Sequence, residues 1–337
     1  MSATSLPELS GFRSVLIVKP SSLGDILHTL PAVQALRDAH PHLHLRWLAN
    51  TEWTPLLINN PAVDEVIPFP RKTFRGIPGL ATFAAWAREW RRRPRPQPEI
   101  ALDFQGLLRS AVLARLSGAC PVVGMSDSRE GASLLHDHIV EVDPGAHALD
   151  RNLALVRAFG IEPATVNTPL PEGSRPAGWP ERKDLVVIHP WSRGRGKSLT
   201  PGVLQALCDA MAPVPVALVG LPGGEPLPIG DHLIDLSGRT SLPELVWCLR
   251  QARAVISVDS GPMHIAAAVN PRTLGIHTWS DPRQVGPHAP GARVWKAGRI
   301  GARGDFTPAE CASPQAPGVA EARVLADFVL NWPAARA

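Results

Sequence analysis

Three stretches of this chain place charged and hydroxyl side chains in small-residue loops directly after apolar runs. The first is Val15-Leu-Ile-Val-Lys-Pro-Ser-Ser-Leu-Gly-Asp-Ile-Leu-His28. A buried strand is expected to end at Val18 and a polar loop to turn sharply into a helix. In an open parallel sheet ligands bind beyond the carboxyl ends of the strands, so Lys19, Ser21, Ser22 and Asp25 are expected to face a cleft. Gly24 would let a substrate approach the backbone. Asp25 suits two roles: general base toward a hydroxyl, or cap on the helix it opens. The stretch matches neither GxxxxGK[ST] nor GxGxxG, so it is not a nucleotide-binding fingerprint.

The second stretch is Val258-Asp-Ser-Gly-Pro-Met-His264. Strand, loop and helix start follow one another, and free N–H groups of Ser260, Gly261 and Met263 are expected to receive a phosphate oxygen there. Pro262 has no N–H to offer. Asp259 would repel a phosphate, so it either orders the loop or meets a sugar hydroxyl or an acceptor group. His264 either braces the loop, contacts the acceptor or is a satisfied structural histidine. The third stretch, His189-Pro-Trp-Ser-Arg-Gly-Arg-Gly-Lys-Ser198, holds three cations and two glycines after another strand. Lys197, with Arg193 or Arg195, could neutralise a diphosphate, and the glycines could let the loop close. The alternative is an exposed basic loop.

Two further basic groups stand apart. Arg71, Lys72 and Arg75 form a short loop after a strand and are acceptor candidates. Arg88, Arg91, Arg92, Arg93 and Arg95 form a denser patch that fits nucleic acid, an anionic membrane surface, or simply a solvated helix end. Twelve histidines show no HExxH spacing and no clustered carboxylates, so no metal site is expected.

The elements that must position these residues alternate along the chain. Strands are expected at 14–18, 43–48, 63–67, 99–102 and 122–124, with helices at 26–39, 51–60, 74–90, 106–117 and 147–159. Pro31 falls inside the first helix and is expected to kink it or set its first turn apart. After a proline-rich break the pattern restarts, with strands at 185–189, 216–219, 254–258 and 273–276 and helices at 201–211, 241–251, 262–269 and 321–332. Such alternation predicts an α/β protein with parallel sheets covered on both faces. The expected organisation is a Rossmann-like domain at 1–165, a linker at 166–184, a second Rossmann-like domain at 185–317 and a final helical segment at 318–337.

The chain has 337 residues, 45% of them hydrophobic and 19% charged, enough for two globular domains and too apolar for disorder. A net charge of +4 permits an anionic ligand without implying nucleic acid. Four cysteines without metal-ligand spacing read as inert thiols of a reducing compartment. No apolar run reaches 18 residues, and the N-terminus lacks a basic region followed by a long apolar one, so a cytoplasmic protein is expected.

The motifs resemble those of the bacterial ADP-heptose:lipopolysaccharide heptosyltransferases, glycosyltransferase family 9, with the heptosyltransferase I branch nearest. Lys19-Pro-Ser-Ser-Leu-Gly-Asp-Ile-Leu-His-Thr-Leu-Pro31 is similar to the family's opening motif, Asp103-Phe-Gln-Gly-Leu-Leu-Arg-Ser110 to a second, Ser128-Arg-Glu130 to a region with a similar Arg-Glu pair, and Val258–His264 to the donor motif. Ser280-Asp-Pro282 resembles a later loop. The resemblance spans about residues 13–290 and implies a GT-B fold: two Rossmann-like, doubly wound domains facing across a cleft, acceptor in the first and nucleotide sugar in the second. It implies an inverting transferase without metal or other cofactor. On this reading Asp25 is the catalytic base and Lys197 holds the diphosphate. Ser192, Arg193, Glu225, Asp259, Ser260, Gly261 and His264 join Lys197 at the donor. Lys19, Ser21, Ser22, Gly24, Arg71, Lys72, Gln105 and Arg129 are expected at the acceptor. The final helix is expected to pack back toward the first domain.

The expected donor is ADP-heptose and the acceptor a hydroxyl of the lipopolysaccharide inner core, with peripheral contact at the inner membrane and no nucleic acid or obligate protein partner. Ser198-Leu199 stands where an aromatic residue and proline are usual, and 221–230 lacks the family's acidic stretch. A family 9 relative acting on another glycan or small metabolite, a non-catalytic nucleotide-sugar-binding protein, and an epimerising or phosphorolytic enzyme of the same fold are the alternatives.

Overall fold

The computed structural model describes residues 6–181 and 184–332. The chain divides into two compact units, Met1–Pro171 and Glu172–Ala337. The division falls inside the 166–184 segment read as a linker. Gly173 already belongs to the second unit. Its φ of +82° and a Cβ position only 2.2 Å from the Pro243 carbonyl oxygen exclude any other residue there.

The first unit is a parallel sheet of β1 (Ser14–Val18), β2 (His44–Asn50), β3 (Glu65–Phe69), β4 (Glu99–Asp103), β5 (Val122–Met125) and β6 (His138–Val140), in the order β3-β2-β1-β4-β5-β6. Its helices are α1 (Leu23–Ala39), α2 (Gly76–Arg92), α3 (Leu108–Ser117) and α4 (Ala148–Arg157). β1 is buried at every position and apolar from Val15 to Val18 because both faces of the sheet are covered. α1 begins three residues earlier than its apolar spacing predicts, because Ser22 caps it. It runs through Pro31 unbroken, giving up one N–H bond there. α2 likewise starts before Pro78, which sits in the first turn, where no N–H partner is needed. The segment 51–60, expected as a helix, forms only a 3₁₀ turn over Thr51–Leu56.

The second unit carries β7 (Val186–His189), β8 (Val216–Leu218), β9 (Leu233–Asp235), β10 (Ala254–Val258), β11 (Thr273–Ile276), β12 (Arg293–Lys296) and β13 (Arg299–Gly301), in the order β13-β12-β11-β10-β7-β8-β9. All pairs are parallel except β12 with β13. Its helices are α5 (Pro201–Met211), α6 (Leu242–Gln251), α7 (Gly261–Val269), α8 (Pro282–Val285), α9 (Pro308–Ala312) and α10 (Val319–Leu330). α10 had been expected to pack toward the first unit. Its buried residues Ala322, Leu325, Ala326 and Val329 lie in the core of the second, and the helix packs on α5. Residues 333–337 of that terminal segment, and Arg182 and Lys183 of the linker, lie outside the described residues.

Strands β6, β9, β12 and β13 and helices α8 and α9 were not anticipated. Each has five residues or fewer, too few for a period to show. β12 also carries charge: its Lys296 is fully buried, and Nζ donates to the Thr278 carbonyl at 3.0 Å.

Both sheets share one plan. The first strand of each unit, β1 or β7, lies between its second and its fourth, β2 and β4 or β8 and β10. The direction of winding reverses between the first and fourth strands, the point where open α/β sheets bind ligands. The loops following β1 and β4, and those following β7 and β10, are the loops that carry the sequence motifs.

Candidate active site

In the first unit the loop after β1 is tied to the loop after β4. Lys19 was expected to face a cleft; it is instead buried, 7% exposed, and Nζ donates to the Phe104 carbonyl at 2.7 Å. Burial pushes its ammonium below the ordinary lysine range, against the opposing pull of Asp25, Asp103 and Asp127. The Lys19 carbonyl accepts from Trp47 Nε1 at 3.2 Å, and the Pro20 carbonyl from the Asn50 N–H at 3.0 Å. The Ser21 N–H donates to Gln105 Oε1 at 3.1 Å. Gln105 therefore positions the loop, and its Nε2 lies outside that bond.

Asp25 fills the capping role. The Ser22 N–H and hydroxyl both donate to its Oδ2, each at 2.8 Å. A cap and a base are compatible here, since both bonds fall on one oxygen. Ser22 is exposed, while Gly24 and Asp25 are half-buried in the first turn of α1.

Asp103 organises the motif it opens. Its Oδ1 accepts from the N–H groups of Gln105 and Gly106, and its Oδ2 from Ser110 Oγ at 3.0 Å, with His136 Nε2 at 3.1 Å. Gly106 has φ +63°, and the Arg129 N–H donates to its carbonyl at 2.7 Å. The Arg129 side chain is exposed. Arg71 and Lys72 are exposed in a 3₁₀ turn after β3, the sheet edge, about 10 Å from β1 across two strand spacings. Sequence reading missed the Asp127–Arg151 pair at 2.6 Å, whose charges both act on Lys19; no spacing signalled it.

In the second unit the loop after β7 folds on itself. The Ser192 N–H donates to Ser198 Oγ at 2.9 Å, and the Leu199 N–H to the Pro190 carbonyl at 2.9 Å. Gly196, at φ +72°, turns the chain so that Lys197 points back to the sheet. Lys197 Nζ donates to Asp259 Oδ2 at 2.5 Å and lies over the Trp279 ring, 4.5 Å from its centroid. Arg193 and Arg195 are exposed. Ser280 Oγ also donates to Asp259 Oδ2, at 2.7 Å, and stands 2.9 Å from His277 Nδ1. Burial would raise the Asp259 carboxyl, but His277, Lys197 and Ser280 outweigh it and hold the carboxyl below its ordinary range. Burial drives His277 down to about 4, aided by nearby His264, Lys197 and Lys296 against Asp259.

The start of α7 presents two backbone donors. Among the described residues the N–H groups of Ser260 and Gly261 have no partner, and the Met263 N–H, expected to be a third, is taken by the Ser260 carbonyl at 3.1 Å. The Ser260 hydroxyl donates to the Val258 carbonyl at 3.0 Å and lies 3.3 Å from His189 Nδ1, so its role is to hold the loop. His264 is buried within the first turns of α7. Glu225 is exposed between β8 and β9 and accepts the Gly223 N–H at 3.0 Å, closing its own loop without touching Lys197 or Asp259. The residue missed here is Trp279, 53% exposed beside Lys197. An indole one residue before Ser280-Asp-Pro282, in a loop after a core strand, was its only sequence signal.

The β7–β10 switch thus offers an ammonium with two donor positions beyond Asp259, two free N–H groups on a helix dipole and an exposed aromatic face. That set suits a diphosphate with an attached ring. Two Rossmann-like units with such a site define the GT-B class, and the comparisons agree. The E. coli heptosyltransferase WaaC with ADP superposes with a TM-score of 0.73 at 22% identity, covering 94% of this chain and 99% of that one. The same enzyme with ADP-2-deoxy-2-fluoro heptose gives 0.72 at 23%, with the same coverage. Lipopolysaccharide heptosyltransferase 1 of Pseudomonas aeruginosa is 29% identical over 294 residues, 81% of each chain. The model of glycosyltransferase family 9 (heptosyltransferase) matches residues 88–184 and 229–309. The chain belongs to glycosyltransferase family 9 and is a glycosyltransferase.

Proposed function

We propose that the protein transfers heptose from ADP-heptose to a hydroxyl of the lipopolysaccharide inner core, with inversion at the anomeric carbon. The acceptor oxygen forms its bond to that carbon as the bond to the diphosphate oxygen breaks. The acceptor proton passes to the Asp25 carboxylate, and ADP departs. In the second unit Lys197 and the N–H groups of Ser260 and Gly261 meet the charge that grows on the diphosphate, and Trp279 offers a face to the donor. Asp259 aims the ammonium. Ser21, Ser22 and Gly24 line the acceptor side, where Gln105 fixes the loop. Arg71, Lys72 and Arg129 are exposed cations available to an anionic acceptor. The reading assigns no direct donor contact to Glu225 or the Ser192 hydroxyl, and Arg193 is free to approach the diphosphate.

The observation that carries this reading is Lys197 poised beside two unpaired N–H groups at the switch point of a family 9 fold. The name of the Pseudomonas relative supplies heptosyl transfer and lipopolysaccharide, and the WaaC structures were solved with ADP and a fluorinated ADP-heptose. The positive charge needed by the leaving group is present in the protein, so we propose that no metal and no protein partner is required. A lipid-borne acceptor would place the enzyme at the inner face of the inner membrane. The test is mass spectrometry of products from ADP-heptose and core acceptor, with and without chelator. Heptosylated acceptor and ADP in both samples are expected. Donor hydrolysis alone, no turnover, or full loss with chelator would overturn the reading.

A further inference from the structure

Helix α2 presents two unlike faces. Phe83, Trp86 and Trp90 pack it onto Phe69, Phe74 and the β3 edge, and Trp86 Nε1 donates to the Pro68 carbonyl at 3.3 Å. Gly79 presses its first turn against the Phe74 backbone, where a Cβ would come within 2.3 Å. The helix is therefore held in a fixed orientation. Its opposite face reads Ile77, Ala81, Ala84, Arg88 and Arg91 at alternating spacings of four and three, with Leu80 and Arg92 beside it, and all seven are exposed. Ile77 is 85% and Leu80 67% exposed.

The face is thus apolar along the first half of the helix and cationic along the second. Arg88, Arg91 and Arg92 have no ion-pair partner among the described residues, in contrast to Arg93 and Arg95, which pair with Glu65 and Glu99. The helix has one acidic side chain, Glu89, about 120° around from Ile77. Arg71, Lys72 and Arg75 stand exposed just ahead of it.

We propose that this face of α2 is a docking surface for an anionic lipid bilayer. Ile77 and Leu80 enter the boundary between headgroups and acyl chains, and the arginines lie along the lipid phosphates with their stems on the apolar side. A nucleic acid would match the arginines but leaves the two large apolar side chains without a role. The inference rests on the membrane-side placement proposed above and not on the transfer chemistry.

Vesicle binding of the full chain, measured by co-sedimentation without substrate, tests it separately from transfer. The probes are vesicles of phosphatidylcholine alone and of phosphatidylcholine with phosphatidylglycerol. Binding to the second kind is expected, falling with salt. Ile77→Ser with Leu80→Ser should weaken it by roughly tenfold or more. Arg88→Gln with Arg91→Gln should weaken it about fivefold per charge removed and flatten the salt dependence. Unchanged melting temperatures, expected at exposed positions, verify that the variants are folded. No binding to phosphatidylglycerol vesicles, or binding that neither variant alters, would overturn the proposal. So would variants that change duplex RNA binding or self-association in sedimentation while leaving vesicle binding intact. Loss of transfer with vesicle binding retained would count against the proposed function and support this surface.

Discussion

The switch-point loops of the two units share a topology and reverse its polarity. In both, a lysine from the loop after the first strand reaches the loop after the fourth. In the first unit that lysine, Lys19, is spent on the Phe104 carbonyl, and the accessible charge is the Asp25 carboxylate. In the second unit the carboxylate, Asp259, is the buried member, and Lys197 retains 18% side-chain exposure. A buried charge is held by its partners and aims the structure around it, whereas the exposed one has donors or lone pairs left for a ligand. One plan therefore leaves a carboxylate open in one unit, the base proposed above, and an ammonium open in the other, the proposed diphosphate contact.

Replacing the exposed charges breaks this contrast most directly. Asp25→Asn keeps an oxygen for the Ser22 cap but cannot take a proton. Transfer should fall about 10²–10⁴-fold with under about 1 kcal/mol lost in stability; near-wild-type turnover would remove Asp25 as the base. The two lysines should then separate by readout. Lys197→Met is expected to lower kcat about 10²–10³-fold. Lys19→Met should leave kcat within about tenfold while lowering stability by roughly 1–3 kcal/mol, because the Phe104 carbonyl loses its donor. Steady-state kinetics and thermal unfolding of both variants decide, and the opposite pattern would dissolve the comparison.

Acid should distinguish the units next. His189 and His277 are both lowered to about 4 by burial, with a backbone bond opposing this at His189. Between pH 6.5 and 4 the unfolded chain holds more protons at these sites than the folded one. Stability is therefore full above about pH 6.5 and declines as pH falls, by roughly 3 kcal/mol for each histidine by pH 4. In the first unit, Glu65 and Asp137 are lowered by Arg46 and Arg115 against the push of burial. Their contribution is full above the ordinary carboxyl values, which lie below the histidine range, and is lost as pH falls from there through their depressed folded values. His40 of this unit is also lowered by burial, yet it is only half-buried. Hydrogen exchange across pH 4–7 should show the second unit opening first; simultaneous opening would contradict the assignment. The smallest effect is expected at Ser280→Ala, which removes one bond to Asp259: a loss of about 1 kcal/mol, or fivefold in kcat, with KM for donor nearly unchanged.

The sequence by itself determined the elements long enough to show a period, and the strands ending at Val18, His189 and Val258 that direct three motif loops to one edge of each sheet. It also singled out Asp25, Lys197 and the N–H groups of Ser260 and Gly261 as candidates, because each lies in a small-residue loop that follows an apolar strand. Tertiary structure alone decided which charges remain available. Lys19 and Lys197 look alike as cations in polar loops, yet one meets a carbonyl two strands' topology away and the other a carboxylate. Gln105, His277 and Ser280 gained their roles only when distant strands came together, and Trp279 only when Lys197 settled on its face. Local pattern records what a residue can donate or accept; whether that capacity is already used depends on partners far along the chain, which only the packed sheet brings within hydrogen-bonding distance.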